Sequence, residues 1–358
     1  MAKKKSAYAQ SGVDIELGNQ VKESLPALLA STRRPEVLGE VGGFGGLFAL
    51  RSGKYRQPVL VSSVDGVGTK LKVAFDMKKH DTIGQDLVNH CVNDIAILGA
   101  EPLFFLDYLG TGKLTPKIFD EILTGFALAC RENNCALLGG ETAQMPGFYQ
   151  PGEYDVSGTI IGVVEKNRIL DGKHVRPGDV VIGVESNGLH TNGYSLARRV
   201  LFEKMGLGVR SRVPELGRLS VGAELLRVHR SYGPLIQGLI RKFNPQRGKP
   251  VIRAMSHITG GGFVDNIPRN LPADVDAIID TGTWEPQPVF SLIEKNGKID
   301  RDEMYHVFNM GIGLTIVVPE AQAAAVVTYC RRRSHGATVI GHIAQGEGRV
   351  RLRHPSRD

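Results

Sequence analysis

A run of β-forming residues, Val59-Leu60-Val61-Ser62-Ser63-Val64, leads straight into Asp65-Gly66-Val67-Gly68-Thr69-Lys70. No other stretch constrains the chain as much. The apolar residues predict a strand, and the glycines predict a turn directly after it. A carboxylate, two glycines, a hydroxyl and a lysine in immediate succession suit a metal-bound phosphate. Asp65 would hold Mg2+, Gly66 and Gly68 would let backbone N–H groups approach oxygens, and Thr69 and Lys70 would meet the remaining charge. The pattern is not a Walker A loop, because GxxxxGK[ST] is absent and the threonine precedes the lysine. Taken alone, the segment reads equally well as an ordinary glycine turn.

The same grammar recurs. A glycine cluster, GEVGGFGG at 39–46, precedes a short strand at 47–50, and its Gly43 and Gly45 are candidates to close over a nucleotide. A strand at 135–138 leads into Gly139-Gly140-Glu141-Thr142. A strand at 180–184 leads into Glu185-Ser186-Asn187-Gly188-Leu189-His190-Thr191-Asn192-Gly193, with a helix expected from about Tyr194 to Phe202. A loop of this kind at a helix N-terminus suits an anion. Thr259-Gly260-Gly261-Gly262 opens a further short helix that Pro268 ends.

Asp81 is placed to cap a helix that runs to about Leu98, with Gly99 as its stop. Ile83, Leu87, Cys91, Ile95 and Leu98 share its apolar face. Asp94 falls within that stripe, where an acid is expensive unless paired or bound to a cation. Asp86, by contrast, falls on the polar arc, with His90 and Asn93 on the more polar side. Asp65, Asp94 and Glu141 are therefore the acids best placed to share a divalent cation, and Lys70 with the glycines argues for a polyphosphate beside it. His190 is the candidate proton carrier, because an unperturbed imidazole titrates near neutrality. A structural role is the alternative for each of these residues.

A chain of 358 residues predicts about two domains. Alternating strands and helices point to α/β layers, and the polar, turn-rich DGKHVRPGD at 171–179 marks a boundary. We expect an N-terminal domain over 1–170, a C-terminal domain over 171–345 and a tail over 346–358. The net charge of +7 gathers partly in Lys3-Lys4-Lys5, Arg331-Arg332-Arg333 and Arg349, Arg351 and Arg353. No aromatic ladder interleaves with these charges, so no nucleic-acid partner is expected. Four cysteines without a CxxC pair predict reduced thiols and a cytoplasmic setting. Neither a signal peptide nor a membrane span is read.

At these motifs the chain resembles the phosphoribosylformylglycinamidine cyclo-ligases, or AIR synthetases, from about Tyr8 to Ile340. The resemblance rests on SGVDI at 11–15, TRRPEV at 32–37, GGFGGL at 42–47, DGVGTK at 65–70 and HDTIGQDLV at 80–88. It continues through VNDI at 92–95, GAEPLFFLDY at 99–108 and GGETAQMPGFY at 139–149. YDVSGTIIGVVEK at 154–166, GLHTNGYSLAR at 188–198, ITGGGF at 258–263 and MYHVFNMGIG at 304–313 complete it. DGVGTK alone would mark only the wider superfamily. The resemblance implies a homodimer of two-domain α/β subunits whose N-terminal sheets join into a barrel, with ATP near the interface. It implies ATP-dependent ring closure of formylglycinamidine ribonucleotide to aminoimidazole ribonucleotide, a step of purine biosynthesis. On this reading Asp65, Asp94 and Glu141 hold Mg2+. Gly43, Gly45, Gly66, Gly68, Thr69, Lys70, Asn93, Gly139 and Gly140 contact ATP. Ser186, Thr191, Asn192 and Gly193, with Gly260, Gly261 and Gly262, contact the substrate, and His190 and Lys70 assist catalysis.

Overall fold

The computed structural model describes residues 11–13, 15–39, 45–245 and 250–355. After a short ribbon of β1 (Val37–Leu38) and β2 (Leu47–Phe48), the first sheet has the order β3-β6-β4-β5. These strands are β3 (Pro58–Gly66), β4 (Glu101–Thr111), β5 (Ala136–Gln144) and β6 (Tyr154–Glu165). Only β4 and β5 run parallel; β6 pairs antiparallel with β3 and β4. The helices Ile83–Ala96 and Pro116–Glu132 supply the apolar cover of this sheet through Leu87, Cys91, Ile95, Ile122 and Phe126, all buried. Along β3 burial alternates, as expected of a strand with one covered face. The outward face carries Leu60 and Val64, which are 61% and 65% exposed.

The second sheet has the order β12-β9-β11-β7-β10-β8, from β7 (Asp179–Glu185), β8 (Ala254–His257), β9 (Val275–Asp280), β10 (Ile312–Pro319), β11 (Ala337–Gln345) and β12 (Val350–Arg353). Its interior strand β10 is buried along nearly its whole length because helices cover both faces. Gly233–Phe243 and Glu320–Arg331 pack over Ile182, Leu314 and Ile316. The helix Pro288–Gly297 belongs to the cluster that includes Val181 and Val317. Among the described residues no helix is long and apolar enough to cross a membrane.

Four sequence expectations need correction. The segment expected to be a tail contributes β12, paired in parallel with β9, and the Asp276 carboxylate accepts hydrogen bonds from Glu347 N, Arg349 N and Arg351 Nε. The expected 135–138 strand does not stop at the glycines: Gly139, Gly140 and Glu141 lie inside β5. Thr82 rather than Asp81 occupies the N-cap, and Asp81 pairs with Lys79 at 2.7 Å. Beyond Arg198 the helix widens to a π-helical turn over Arg199–Lys204.

Candidate active site

The helix Ile83–Ala96 carries the site because it is buried on nearly every side. Its apolar stripe lies on the first sheet. A second stripe, Asp86, Asn89, His90, Asn93 and Asp94, recurs at three- and four-residue spacing and faces the second domain. The segment Arg227–Tyr232, the loop 187–193 and the loop after β8 meet it there.

His90 lies at the centre. Its Nε2 is 3.0 Å from Asp65 Oδ2 and 3.8 Å from Asp94 Oδ2. Its Nδ1 meets Thr191 Oγ1 at 2.9 Å, and Thr259 Oγ1 lies 3.2 Å from Nε2. Asp94 Oδ1 faces His257 Nδ1 at 2.8 Å, and Asp94 Oδ2 accepts from Ser63 Oγ at 3.1 Å. His257 Nε2 lies 3.1 Å from His229 Nε2, and the His229 ring stacks on His190 with centroids 4.1 Å apart. Four imidazoles and two carboxylates thus converge between the domains.

The charges follow from burial and partners. Burial raises the pKa of Asp94, but the His257 hydrogen bond and charge outweigh it, so the carboxyl sits below its usual value. Asp65 is lowered in the same way by His90. Burial works against a charged His90, yet the Asp65 hydrogen bond and the charges of Asp94 and Asp65 raise its pKa. Burial and neighbouring cations push His190 and His229 well below the usual histidine value, so both rings are neutral near pH 7. His190 adopts a left-handed backbone (φ +60°), donates from Nε2 to Asn187 Oδ1 at 3.1 Å, and has no partner at Nδ1 among the described residues.

Asp65 and Asp94 therefore come together as read from the sequence, and Glu141 does not join them. Cross-strand partners share a face, and the register aligns Asp65, Gly158, Asp107 and Gly140 in one row and Gly66, Ser157, Tyr108 and Glu141 in the next. Glu141 is thus on the opposite face from Asp65 and three strands away, about 14 Å at usual strand spacing. Gly139 and Gly140 lie on that far strand, where Gly140 packs against Asp107. Asp107 is pushed up to about 7 by burial.

Lys70 turns its ammonium inward in this structure, not toward the open side of the Asp65 loop. Its ammonium is fully buried, donating to Asp86 Oδ1 at 2.9 Å, His190 O at 3.0 Å and Arg227 O at 2.7 Å, so all three protons are committed. Asn93 is also sealed: its Oδ1 accepts from Tyr232 N, and its amide donates to Arg230 O. Gly66 N–H is taken by Asp65 Oδ1. Gly68 (φ +66°) has open space where a Cβ would stand, and Thr69 Oγ1 meets Ser195 Oγ at 3.1 Å. Gly43 lies outside the described residues. Gly45 is exposed, and its neighbour Gly46 packs on Leu138 of β5, away from Asp65.

Of the expected substrate contacts, Ser186 is buried and holds Gly188 O and Asn309 Oδ1, while Gly193 and Gly262 are pressed against Phe308 and Tyr305. Thr191 stands between His90 and His229. Asn192 Nδ2 donates to Thr259 Oγ1 at 2.8 Å, bringing the two glycine loops together beside Gly260 and Gly261. Sequence reasoning missed His229, His257 and the inward direction of Asp86 and His90. The polar stripe at helical spacing was the available signal for the last two. His229 lies in an irregular segment that has no periodicity to read.

Residues 53–164 match the family described as AIR synthase related protein, N-terminal domain, and residues 176–353 match its C-terminal counterpart. The two sheets and the cleft between them thus define an AIR synthase-related protein. Among curated proteins the chain is 50% identical to the phosphoribosylformylglycinamidine cyclo-ligase of Syntrophotalea carbinolica, over 98% of this chain and 99% of that one. It is 50% identical to the enzyme of that name from Anaeromyxobacter sp., over 95% and 96%. The chain belongs to the phosphoribosylformylglycinamidine cyclo-ligase family. Solved structures share the fold at lower identity. The thiamine-monophosphate kinase of Stenotrophomonas maltophilia superposes with a TM-score of 0.68 at 19% identity, over 92% of this chain and 95% of that one. The hydrogenase maturation protein HypE in complex with ATP gives 0.64 at 18%, over 94% and 91%.

Proposed function

We propose that the chain catalyses the ATP-dependent cyclisation of formylglycinamidine ribonucleotide to aminoimidazole ribonucleotide, with release of ADP and phosphate, in cytoplasmic purine biosynthesis. The observation that carries this reading is family membership at 50% identity across nearly the whole chain. The convergence of Asp65 and Asp94 in the interdomain cleft supports it.

The formyl amide is a poor electrophile with a poor leaving group. Transfer of the γ-phosphoryl group of ATP to the formyl oxygen corrects both faults. The amidine nitrogen then attacks the same carbon, the five-membered ring closes and phosphate leaves. Asp65 and Asp94, two adjacent carboxylates held on different elements, fit a divalent cation such as Mg2+. When bound, that ion offsets the charge of the triphosphate. The open backbone at Gly68 and Thr69 lies next to Asp65 and suits phosphate oxygens. Asn192 and the backbone of Gly260 and Gly261 form the wall from the second domain, so closure of the two domains would orient the substrate against ATP. His190 is neutral with an unpartnered Nδ1 but closed off from solvent, so the cleft would have to open before it could accept the proton lost by the attacking nitrogen. The open apolar face of the first sheet, with Leu60 and Val64, supports a homodimer in which two such faces pack together.

Product analysis tests the reading. With formylglycinamidine ribonucleotide and MgATP, an aminoimidazole and free phosphate in equal amounts are expected. A phosphate retained on an organic product would mean a kinase and would overturn it.

A further inference from the structure

His190 is only 1% exposed, yet its Nδ1 has no partner among the described residues. A buried polar atom without a hydrogen bond is costly and calls for a reason. The groups around the ring assign its hydrogen. Asn187 Nδ2 donates to Val228 O at 2.8 Å, so Oδ1 is the other end of that amide and can only accept. That oxygen lies 3.1 Å from His190 Nε2, which therefore carries the hydrogen. The neutral ring then has its lone pair on Nδ1.

The ring is held in this pose from several sides. The His190 carbonyl accepts from Lys70 Nζ at 3.0 Å and from Tyr194 Oη at 3.1 Å. The His229 ring stacks on the imidazole with centroids 4.1 Å apart and planes at 20°. Gly313 of β10 faces the ring edge, where a Cβ would stand 2.7 Å from Cε1. Lys70, His90, Arg230 and His257 are the charged or titratable groups nearby, with Tyr232 beside them. Among the described residues, however, the ring's only hydrogen-bond partner is Asn187. Asn187 is itself fixed, because Arg227 donates to its backbone carbonyl at 3.0 Å and Val228 accepts from its amide. The segment that docks on the Ile83–Ala96 helix thus also aims the Asn187 side chain.

We propose that Asn187 is a positioning residue for His190: its side-chain carbonyl keeps the imidazole hydrogen on Nε2 and so reserves the Nδ1 lone pair for the proton released in ring closure. The inference rests on the cyclo-ligase reading and adds the group that orients its proton acceptor. In the opened cleft, the amidine nitrogen bonds to the formyl carbon, its N–H bond breaks and the proton passes to Nδ1. The C–O bond breaks, and its electron pair leaves with phosphate. The ring becomes an imidazolium whose Nε2–H still donates to Asn187. An amide is a neutral acceptor, so it sets the tautomer without charging the ring beforehand. A carboxylate in its place would keep the tautomer and also favour the charged ring.

The test compares Asn187→Leu and Asn187→Asp in the full-length chain, each checked for folding by circular dichroism. The tautomer is read on nucleotide-free protein with isotope-labelled histidine, from two-bond proton–nitrogen correlations, and His190→Gln identifies the ring. The wild type and Asn187→Asp should carry the hydrogen on Nε2 alone while the ring is neutral, and Asn187→Leu should show a mixture. With formylglycinamidine ribonucleotide and MgATP, Asn187→Leu should lower kcat roughly 10-fold or more while KM stays within about twofold. Asn187→Asp should move the acid limb of the kcat profile upward by about one pH unit or more. If the leucine variant does not fold, the aspartate variant decides. A hydrogen on Nδ1 in the neutral wild-type ring, wild-type kcat in folded Asn187→Leu, or an unmoved acid limb in folded Asn187→Asp overturns the proposal. Aminoimidazole formed by a wild type with the wrong tautomer leaves the proposed function standing, whereas a wild type that forms none removes that function whatever the tautomer.

Discussion

The ammonium of Lys70 and the carboxylate of Asp86 meet at 2.9 Å, both fully buried, where the two domains touch. Lys70 reaches across to the carbonyls of His190 and Arg227, and Asp86 accepts the N–H of His229 at 2.7 Å. Burial pushes the lysine down and the acid up, each opposed by its partner. Removing one partner strands the other charge. Lys70→Met should therefore destabilise the chain by about 3–5 kcal/mol, and Lys70→Met with Asp86→Leu should recover part of that loss. Urea denaturation measures both.

Asp94 touches His257, Ser63 and the neighbourhood of His90 at once. Asp94→Asn keeps the shape and removes the charge. ADP release with formylglycinamidine ribonucleotide should fall on the order of 10²-fold, the size typical of losing one preorganised electrostatic contact. Full turnover in this variant would remove Asp94 from the metal role.

Glu141 gives the contrasting expectation. Its place on the opposite face of the sheet predicts that Glu141→Gln binds a divalent cation within about twofold of the wild type, whereas Asp65→Asn loses at least tenfold. Isothermal titration of the two variants side by side makes the comparison.

Acid should destabilise the fold before the carboxylates titrate. His190, His229 and His257 have folded values below the unfolded one, chiefly through burial, so the unfolded chain binds protons that the folded chain refuses. Their contribution is present above about pH 6.5 and is lost as pH falls. His335, pushed down to about 4 by burial, acts in the same direction. His90 acts oppositely: its value is raised, so its contribution is complete below the unfolded value and is lost as pH rises through the folded one. The lowered histidines outnumber it. Stability should drop between pH 7 and 5, by up to about 1.4 kcal/mol per pH unit for each additional proton taken up on unfolding. Denaturation midpoints across this range should show the slope, and His229→Gln should flatten it.

Leu60 stands on the open face of the first sheet. Placing a charge there opposes burial against a second copy without disturbing the covered face. Leu60→Glu should shift a dimer to a monomer in sedimentation velocity while the circular dichroism spectrum stays unchanged. A wild-type chain that sediments as a monomer at micromolar concentration would refute the dimer.

Strand and helix positions were largely legible because their apolar residues repeat at two- and four-residue spacing. Val59–Val64 and Tyr154–Val164 fall inside β3 and β6, and Gly99 (φ +89°) follows the Ile83–Ala96 helix as read. The site was legible in part. Asp65 and Asp94 were found because each interrupts or ends an apolar pattern, where a carboxylate needs a compensating partner. Lys70 was read toward phosphate and is found paired with Asp86, because a lysine beside glycines looks the same whether its ammonium meets a phosphate or a buried carboxylate.

What the sequence determined by itself was local: which residues alternate, which ones turn, and that an acid, glycines and a lysine stand together after a strand. The register of β4 with β5 put Glu141 on the far face, and the docking of Arg227–Tyr232 onto the Asp86–Asp94 stripe assembled the imidazoles; only the tertiary structure decided these. The physical reason is that a side chain's face depends on which strand its own strand pairs with and in what register. Its charge state depends on what a distant segment brings within hydrogen-bond reach, and neither is encoded by the spacing of neighbours along the chain.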